Sequence, residues 1–358
     1  MMEWKDRRII DLFGIDLPVI QAPMAGASTP EMAVEVSNAG GLGSIPSAQY
    51  SAEQLRDILS QVRRQTSKPI NVNFFSHVMP QADPARDMRW RGRLAPYYVE
   101  LGLDPSAPLP TTGRKPFDTA FCEVVEELRP AVVSFHFGLP PSELVERVRN
   151  TGAKIISSAT TVSEALWLEE RGVDAVIAMG FEAGGHRGNF LSSDMSTQVG
   201  TMALVPQIVD AVKVPVIAAG GIGDGRGVAA ALILGASAVQ IGTAYLFSPE
   251  AKIPAVHRKA LETASDDNTA LTNVFTGRPA RGVVNRIMRE VGPLSELAPA
   301  FPTAGSALAP LRSAAEEMGS DAFTNLWSGQ AAKLSPHMPA ADLTRNLAEE
   351  SAVLLGCL

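Results

Sequence analysis

Residues 175–189 read AVIAMGFEAGGHRGN. The stretch opens as five apolar residues, Ala175 to Met179, behind Gly172-Val173-Asp174. That is the pattern of a short strand buried on both faces. It then breaks into Gly180, Gly184, Gly185 and Gly188, with Glu182, His186 and Arg187 among them. Glycine lets the backbone take positive φ and approach a ligand closely, and a histidine at such a strand mouth is free to do proton chemistry. The bland alternative is a surface turn carrying a solvated histidine.

The same unit, an apolar strand followed by a capped helix, recurs on both sides of this stretch. Before it, strands are expected at Pro18–Met24, Gly41–Ile45, Ile70–Phe75, Pro130–Phe137 and Ala153–Ser157. After it they are expected at Pro215–Ala219 and Ala236–Ile241. Helix starts are marked by Thr29-Pro30, with a capping threonine before a proline, and by Ser51-Ala52-Glu53-Gln54, after which Leu55, Ile58, Leu59 and Val62 recur at helical spacing. Eight units lie between Pro18 and about Gly242. A (β/α)8 TIM barrel needs roughly 200–250 residues for eight such units, so the expected class is α/β with a closed barrel over residues 1–250. An open doubly wound sheet is the alternative. Residues 76–115 are too long and too rich in proline for an ordinary connection, and read as an insertion after the third strand with a helix near Arg86–Leu101. From residue 251 to 358 the alternation stops. Helices are expected at Ile253–Ala264, Gly305–Met318, Phe323–Ala332 and Asp342–Leu354, a helical subdomain whose last helix packs back on the barrel.

Composition narrows the function. The 358 residues are 46% hydrophobic with a net charge of −7 and no basic blocks, which argues against nucleic acid, since phosphate backbones demand clustered Lys and Arg. The two cysteines, Cys122 and Cys357, are far apart, which fits a reducing cytoplasm better than a disulfide scaffold. The start, MMEWKDRRII, is too charged for a signal peptide, and the most apolar stretch is too short to cross a bilayer. A soluble protein with no membrane partner is expected.

In a TIM barrel the C-terminal strand ends form the functional rim. That rim would present Pro23 and Met24, Asn73, Ser134 and His136, Met179 with the Gly184-Gly185-His186 loop, Gly220 and Gly221, and the run Gln240, Ile241, Gly242, Thr243. Glycine-rich loops after the last two strands can aim backbone N–H groups at a phosphate; alone, glycines there would simply turn the chain. The string GGIGDGRG does not satisfy G-x-G-x-x-G in any register, which rejects a dinucleotide fingerprint. Asn73 can pair with a flat heterocycle through both its donor and its acceptor. His136, inside an apolar strand, reads first as a satisfied core or rim histidine. His77, His257 and His337 have no supporting context. Metal-ligand spacings, HExxH and G-x-S-x-G are missing. A phosphate site without nucleophile or metal points to a phosphorylated cofactor.

The motifs QAPMAG at 21–26, GGLGS at 40–44, NVNFF at 71–75, VVSFHFGLP at 132–140, EAGGHRG at 182–188, AAGGIGDG at 218–225 and QIGTAYL at 240–246 resemble, in this order, the nitronate monooxygenase family, formerly 2-nitropropane dioxygenases. The FHFGLP string favours its branch that needs no nicotinamide. The resemblance implies FMN, held by Pro23, Met24, Asn73, Met179, Gly184, Gly185, Gly220, Gly221, Gln240, Ile241, Gly242 and Thr243. It implies His186 as the base that removes the α-proton of a nitroalkane, with Ser134 and His136 near the substrate. The implied reaction oxidises alkyl nitronates, propionate 3-nitronate foremost, with O2 to a carbonyl compound and nitrite through a flavin semiquinone. One departure is visible: many members carry glutamine where this chain has Met179, which cannot donate the same hydrogen bond. An FMN-dependent, NAD(P)H-using enoyl-acyl-carrier-protein or quinone reductase would use the same loops, and a non-catalytic phosphate-binding barrel is a third reading. Oligomeric state stays open, a homodimer included.

Overall fold

The computed structural model describes residues 3–110 and 114–357; three residues of the 76–115 insertion, 111–113, lie outside the described residues. In chain order the elements are α1 (Arg8–Phe13), β1 (Val19–Gln21), α2 (Pro30–Asn38), β2 (Gly43–Pro46), α3 (Ala52–Gln65), β3 (Ile70–Phe75), α4 (Pro84–Glu100), α5 (Thr119–Leu128), β4 (Val132–His136), α6 (Ser142–Asn150), β5 (Lys154–Ala159), α7 (Val162–Glu170), β6 (Ala175–Met179) and β7 (Gly185–His186). They continue with α8 (Thr201–Ala211), β8 (Val216–Ala219), α9 (Gly225–Ile233), β9 (Ala238–Ile241), α10 (Ala255–Glu262), β10 (Thr269–Thr272), β11 (Ala280–Val283), α11 (Arg286–Glu290), α12 (Ala309–Glu317) and α13 (Ala340–Leu355).

Eight strands run in the order β1-β9-β8-β6-β5-β4-β3-β2, each ladder pair parallel. The two ends meet at Leu42, whose N–H donates to Val19 O at 3.0 Å and whose carbonyl accepts from Gln21 N at 3.0 Å, with Ile20 and Leu42 bridged in parallel. The sheet is therefore a closed (β/α)8 barrel and not an open one. Parallel strands covered by helices have no solvent face, and Val132, Val133, Ile155, Ile156, Val176 and Ile217 are each fully buried. The helix starts follow local chemistry. Thr29 Oγ1 accepts from Met32 N at 3.1 Å with Pro30 in the first turn, and Ser51 and Gln54 form a reciprocal capping box. After β9 the chain leaves the barrel, and the last helix position is filled by α13, which packs against α9 and α2.

A second core lies beyond the barrel. Trp90, Leu94, Tyr97 and Tyr98 of α4 pack with Val274, Phe275, Ile287, Leu311 and Phe323. Trp90 Nε1 donates to Ala304 O at 3.1 Å and the Tyr98 hydroxyl to Ala307 O at 2.7 Å. The insertion and the C-terminal segment thus fold as one layer. That layer is not purely helical: β10, β11 and β7 make a three-stranded antiparallel sheet. The helix expected over Phe323–Ala332 is not formed. Val283 N donates to Leu326 O at 2.9 Å and Ser328 N to Arg281 O at 3.3 Å, so this stretch is extended beside β11, its backbone satisfied by a neighbour instead of by itself. Among the described residues no helix is long and apolar enough to cross a membrane.

Candidate active site

The rim of the barrel opens into a cavity of about 560 Å³, within the roughly 300–1,000 Å³ usual for small-ligand sites. Pro23, Met24, Asn73, Ser134, His136, Met179, Gly184, Gly185, His186, Gly220, Gly221, Gln240, Gly242 and Thr243 all line it. Ile241 does not: its side chain is buried in the barrel core and its backbone pairs with Gln21.

His186 sits on β7, held in register with Ala280 of β11. Its Nε2 lies 2.9 Å from Thr276 Oγ1. Aromatic rings wall it: Phe301 at 5.3 Å, Trp327 at 5.5 Å, Phe137 at 6.1 Å and Phe75 at 6.2 Å between centroids. Burial, and then the charge of Arg114, hold the imidazole well below the ordinary histidine value, with His136, Arg278 and His77 adding to the effect. The ring is neutral at physiological pH and has a lone pair to offer.

His136 supports this loop. Its Nε2 is 3.1 Å from the carbonyl of His186 and its Nδ1 2.7 Å from Ser158 Oγ. A carbonyl only accepts, so Nε2 carries the proton and Nδ1 accepts from the serine. Burial, with Arg278 adding, lowers this histidine to about 3, so it stays neutral. Gly188 is required here, because a Cβ would stand 2.7 Å from Ser158 Oγ and 2.9 Å from His136 Cε1. Phe137, the next residue along, has φ +74, a strained value for a bulky side chain, and the Arg278 guanidinium lies 4.0 Å above its ring. Arg187 is fully buried. It donates to the carbonyls of Met179 and Gly180 and, through Nε at 3.0 Å, to Gln198 Oε1, which ties the loop back onto the end of β6.

The other side of the cavity is glycine-rich. Gly220 and Gly221 both have positive φ, and a Cβ at Gly220 would reach 3.0 Å from Ala183 N, so glycine there answers a backbone need as well as lining the cavity. Gly242 differs. Its φ is −109, and a Cβ would meet nothing nearer than Ala22 Cβ at 3.5 Å and Met24 Sδ at 3.7 Å. What a side chain would fill is the cavity itself. Beside it Gln240 Oε1 is buried with no hydrogen-bond partner, an acceptor whose donor an occupant would supply. Asn73 Nδ2 donates to Ser134 O at 3.3 Å and Oγ at 3.0 Å. Met179 presents a thioether to the cavity, and its carbonyl is taken by Arg187.

The outer layer supplies what the motifs did not contain. Gly329 N donates to Thr243 Oγ1 at 2.9 Å, and a Cβ on Gly184 would collide with this segment, 2.5 Å from Gly329 N. Ser328 and Gly329 therefore roof the cavity. His257 is buried too, with Nε2 3.0 Å from Trp327 O. Arg114, Thr276, Phe301 and Trp327 stand in stretches without periodicity or a known spacing, and no signal in the chain singled them out.

Comparison with known proteins places the whole chain among relatives of one family and fold. The family model described as nitronate monooxygenase matches residues 6–350. The chain is 45% identical to a nitronate monooxygenase of Pseudomonas aeruginosa over 96% of this chain and 98% of that one. A crystal structure of nitroalkane oxidase from Streptomyces ansochromogenes superposes with a TM-score of 0.88 at 38% identity, covering 98% of this chain and 99% of the other. FabK from Thermotoga maritima superposes at 0.74 with 30% identity, over 99% and 98%.

Proposed function

This chain belongs to the nitronate monooxygenase family, and from that premise we propose that it is an FMN-dependent oxidoreductase that converts alkyl nitronates, and nitroalkanes by way of their nitronates, with O2 to a carbonyl compound and nitrite. The observation that carries the reading is His186: a neutral imidazole in an aromatic box, facing the cavity from the mouth of β6.

The residues present fit the cofactor. The open cradle at Gly242 and the unpartnered Gln240 Oε1 suit a planar group with polar edges, and the loops at Gly220-Gly221 and Gly242-Thr243 stand where TIM barrels hold phosphate. Asn73 and Met24 line the same cavity. FMN bound there would supply the electron-accepting and oxygen-reactive chemistry.

The protein handles the proton and the water. His186 takes the α-proton of a neutral nitroalkane onto its imidazole, which Thr276 orients through Nε2. A nitronate arrives already deprotonated and does not need that step. The wall of Phe75, Phe137, Phe301 and Trp327 keeps water from the anion once it is formed. His136 and Arg187 hold the loop in place, His136 through the His186 carbonyl and Arg187 through the Met179 carbonyl. The test is oxygen uptake by the purified yellow protein with a nitronate, with and without NADH. Nitronate-dependent uptake that NADH does not alter is expected. Prompt bleaching of the flavin by NADH under anaerobic conditions, with no nitronate turnover, would assign the chain to reductase chemistry.

A further inference from the structure

Five consecutive residues, Leu326 to Gln330, cross the roof of the cavity, and each gives one backbone group to a different partner. Leu326 O accepts from Val283 N at 2.9 Å and Ser328 N donates to Arg281 O at 3.3 Å, both on β11. Trp327 O accepts from His257 Nε2 of α10 at 3.0 Å. Gly329 N donates to Thr243 Oγ1 in the turn after β9 at 2.9 Å, and Gln330 N to the carbonyl of Glu182 just after β6 at 3.1 Å. Single bonds to separate elements do not reinforce one another as a ladder does, so such a segment can lift while the barrel stays folded. Its underside is tight. A Cβ on Gly329 would stand 2.9 Å from Glu182 O and 3.1 Å from Gly184 N, and a Cβ on Gly184 would stand 2.6 Å from the carbonyl carbon of Ser328. Backbone thus rests on backbone just ahead of His186. Trp327 is itself a wall of that imidazole, 5.5 Å away between ring centroids. At its other edge the segment meets the cofactor cradle. Thr243 lines the cavity, its Oγ1 accepts from Gly329 N, and among the described residues its own proton has no acceptor. A hydroxyl that accepts from the roof is free to donate to whatever fills the cradle.

We propose that residues 326–330 form a strap that couples the filling of the Gly242-Thr243 cradle to the placement of His186, with Thr243, His257 and Gly329 as its positioning residues. The inference rests on the cofactor reading given above and adds the part that transmits occupancy to the base. An acceptor oxygen on the occupant takes the Thr243 proton, which polarises that hydroxyl and strengthens its acceptance from Gly329 N. The strap then sits down on Gly184, and the base loop and the Trp327 wall are held in one arrangement. Such coupling is reciprocal: whatever loosens the strap weakens the hold on the occupant. The three residues act through the loop and the wall.

Two variants of the flavin-loaded protein test it from opposite sides of the strap. Gly329 is not among the positive-φ glycines, so Gly329→Ala suits its backbone and acts only through the close approach to Glu182 and Gly184. His257→Phe keeps a ring on α10 and removes the donor to Trp327 O. Each is expected to release flavin roughly tenfold or more faster than the parent, read as the rise in flavin fluorescence on dilution, which is within the usual range of coupling between sites. A variant that folds but purifies colourless is the extreme of that result. Hydrogen exchange on the loaded proteins should show residues 326–330 and 182–188 losing protection together, with β3, β4 and β5 unchanged. In oxygen uptake, kcat/KM for a neutral nitroalkane should fall more than for its preformed nitronate. Flavin release at the parent rate in both variants would overturn the proposal, as would exchange that rises over 326–330 while 182–188 stays protected. The two variants lie on different segments, so either decides the matter should the other fail to fold. A parent protein whose strap and base loop loosen together in this way, but which oxidises no nitronate, would sink the functional reading and leave the strap standing.

Discussion

His186 shows how a residue's neighbours choose its chemistry. An isolated histidine is half-charged near pH 6.5; here burial and surrounding cations hold it neutral. His186→Asn keeps a polar side chain of similar reach but has no basic nitrogen. General-base assistance is worth roughly 10²–10⁴ in rate, so kcat/KM for a neutral nitroalkane should fall by that order, while the preformed nitronate loses far less. Oxygen uptake on the two substrate forms makes the comparison, and equal losses would count against the base. At this scale the chain was readable in part. Glycines and a histidine at a strand mouth marked His186, Gly184 and Gly221. Thr276, which holds the imidazole, lies ninety residues later in sequence, close behind Thr269 and Thr272, and nothing local distinguishes it. His136 was legible as a residue in an apolar strand, and the structure gives it two hydrogen bonds and the work of holding a loop.

At the scale of elements, the site depends on one short strand borrowing its partners. β7 is two residues long and owes its conformation to β11 and to Arg187 beneath it. Arg187 is lowered to about 10 by burial and by Arg281, with Glu182 and Glu164 opposing, and so it keeps its charge at neutral pH. Arg187→Met retains the volume but leaves the Met179 carbonyl and the Gln198 amide oxygen without the donor Arg187 supplies, and takes from the Gly180 carbonyl one of its two donors, the other being Ala183 N. Each orphaned acceptor costs ~1–3 kcal/mol, so urea unfolding should report a loss of about 2 kcal/mol or more, accompanied by weakened proton abstraction as the loop relaxes. A variant as stable as its parent would remove Arg187 from the account. The expected helix at Phe323–Ala332 failed at this scale for a physical reason. Its apolar residues, Phe323 and Leu326, are buried as helical spacing suggests, but the backbone finds its hydrogen bonds on β11, and periodicity does not record which partner the backbone takes.

The whole molecule is a barrel under a roof, with histidines set both at the barrel rim, as His136 on β4, and in the layer above it, as His257 on α10. Burial is the main cause that lowers His77 and His257 to about 4 and His136 to about 3. Unfolded, each takes up its proton near 6.5. The unfolded state therefore binds more protons than the native one below pH 6.5, and stability, complete above that pH, is lost as pH falls towards the folded values. Denaturation midpoints across this range should decline before most carboxylates titrate, and His257→Gln should make the decline shallower. A flat profile from pH 6.5 down to about 4.5, above the carboxylate values, would contradict the burial of these rings.

Two kinds of information met in this fold. The barrel itself was already determined along the chain, because each strand and helix advertises itself through local patterns: runs apolar on both faces, capping residues, glycines at strand ends. Those signals need only neighbours a few residues away. The tertiary structure alone decided that α4 and the C-terminal segment share one core, that β10 and β11 lace onto β7, that α13 completes the helical ring, and that Arg114, Thr276 and Trp327 come to the histidine. Those pairings join residues from about seventy to more than three hundred positions apart, and they arise from shape and satisfied backbone in three dimensions, which no short stretch of residues encodes.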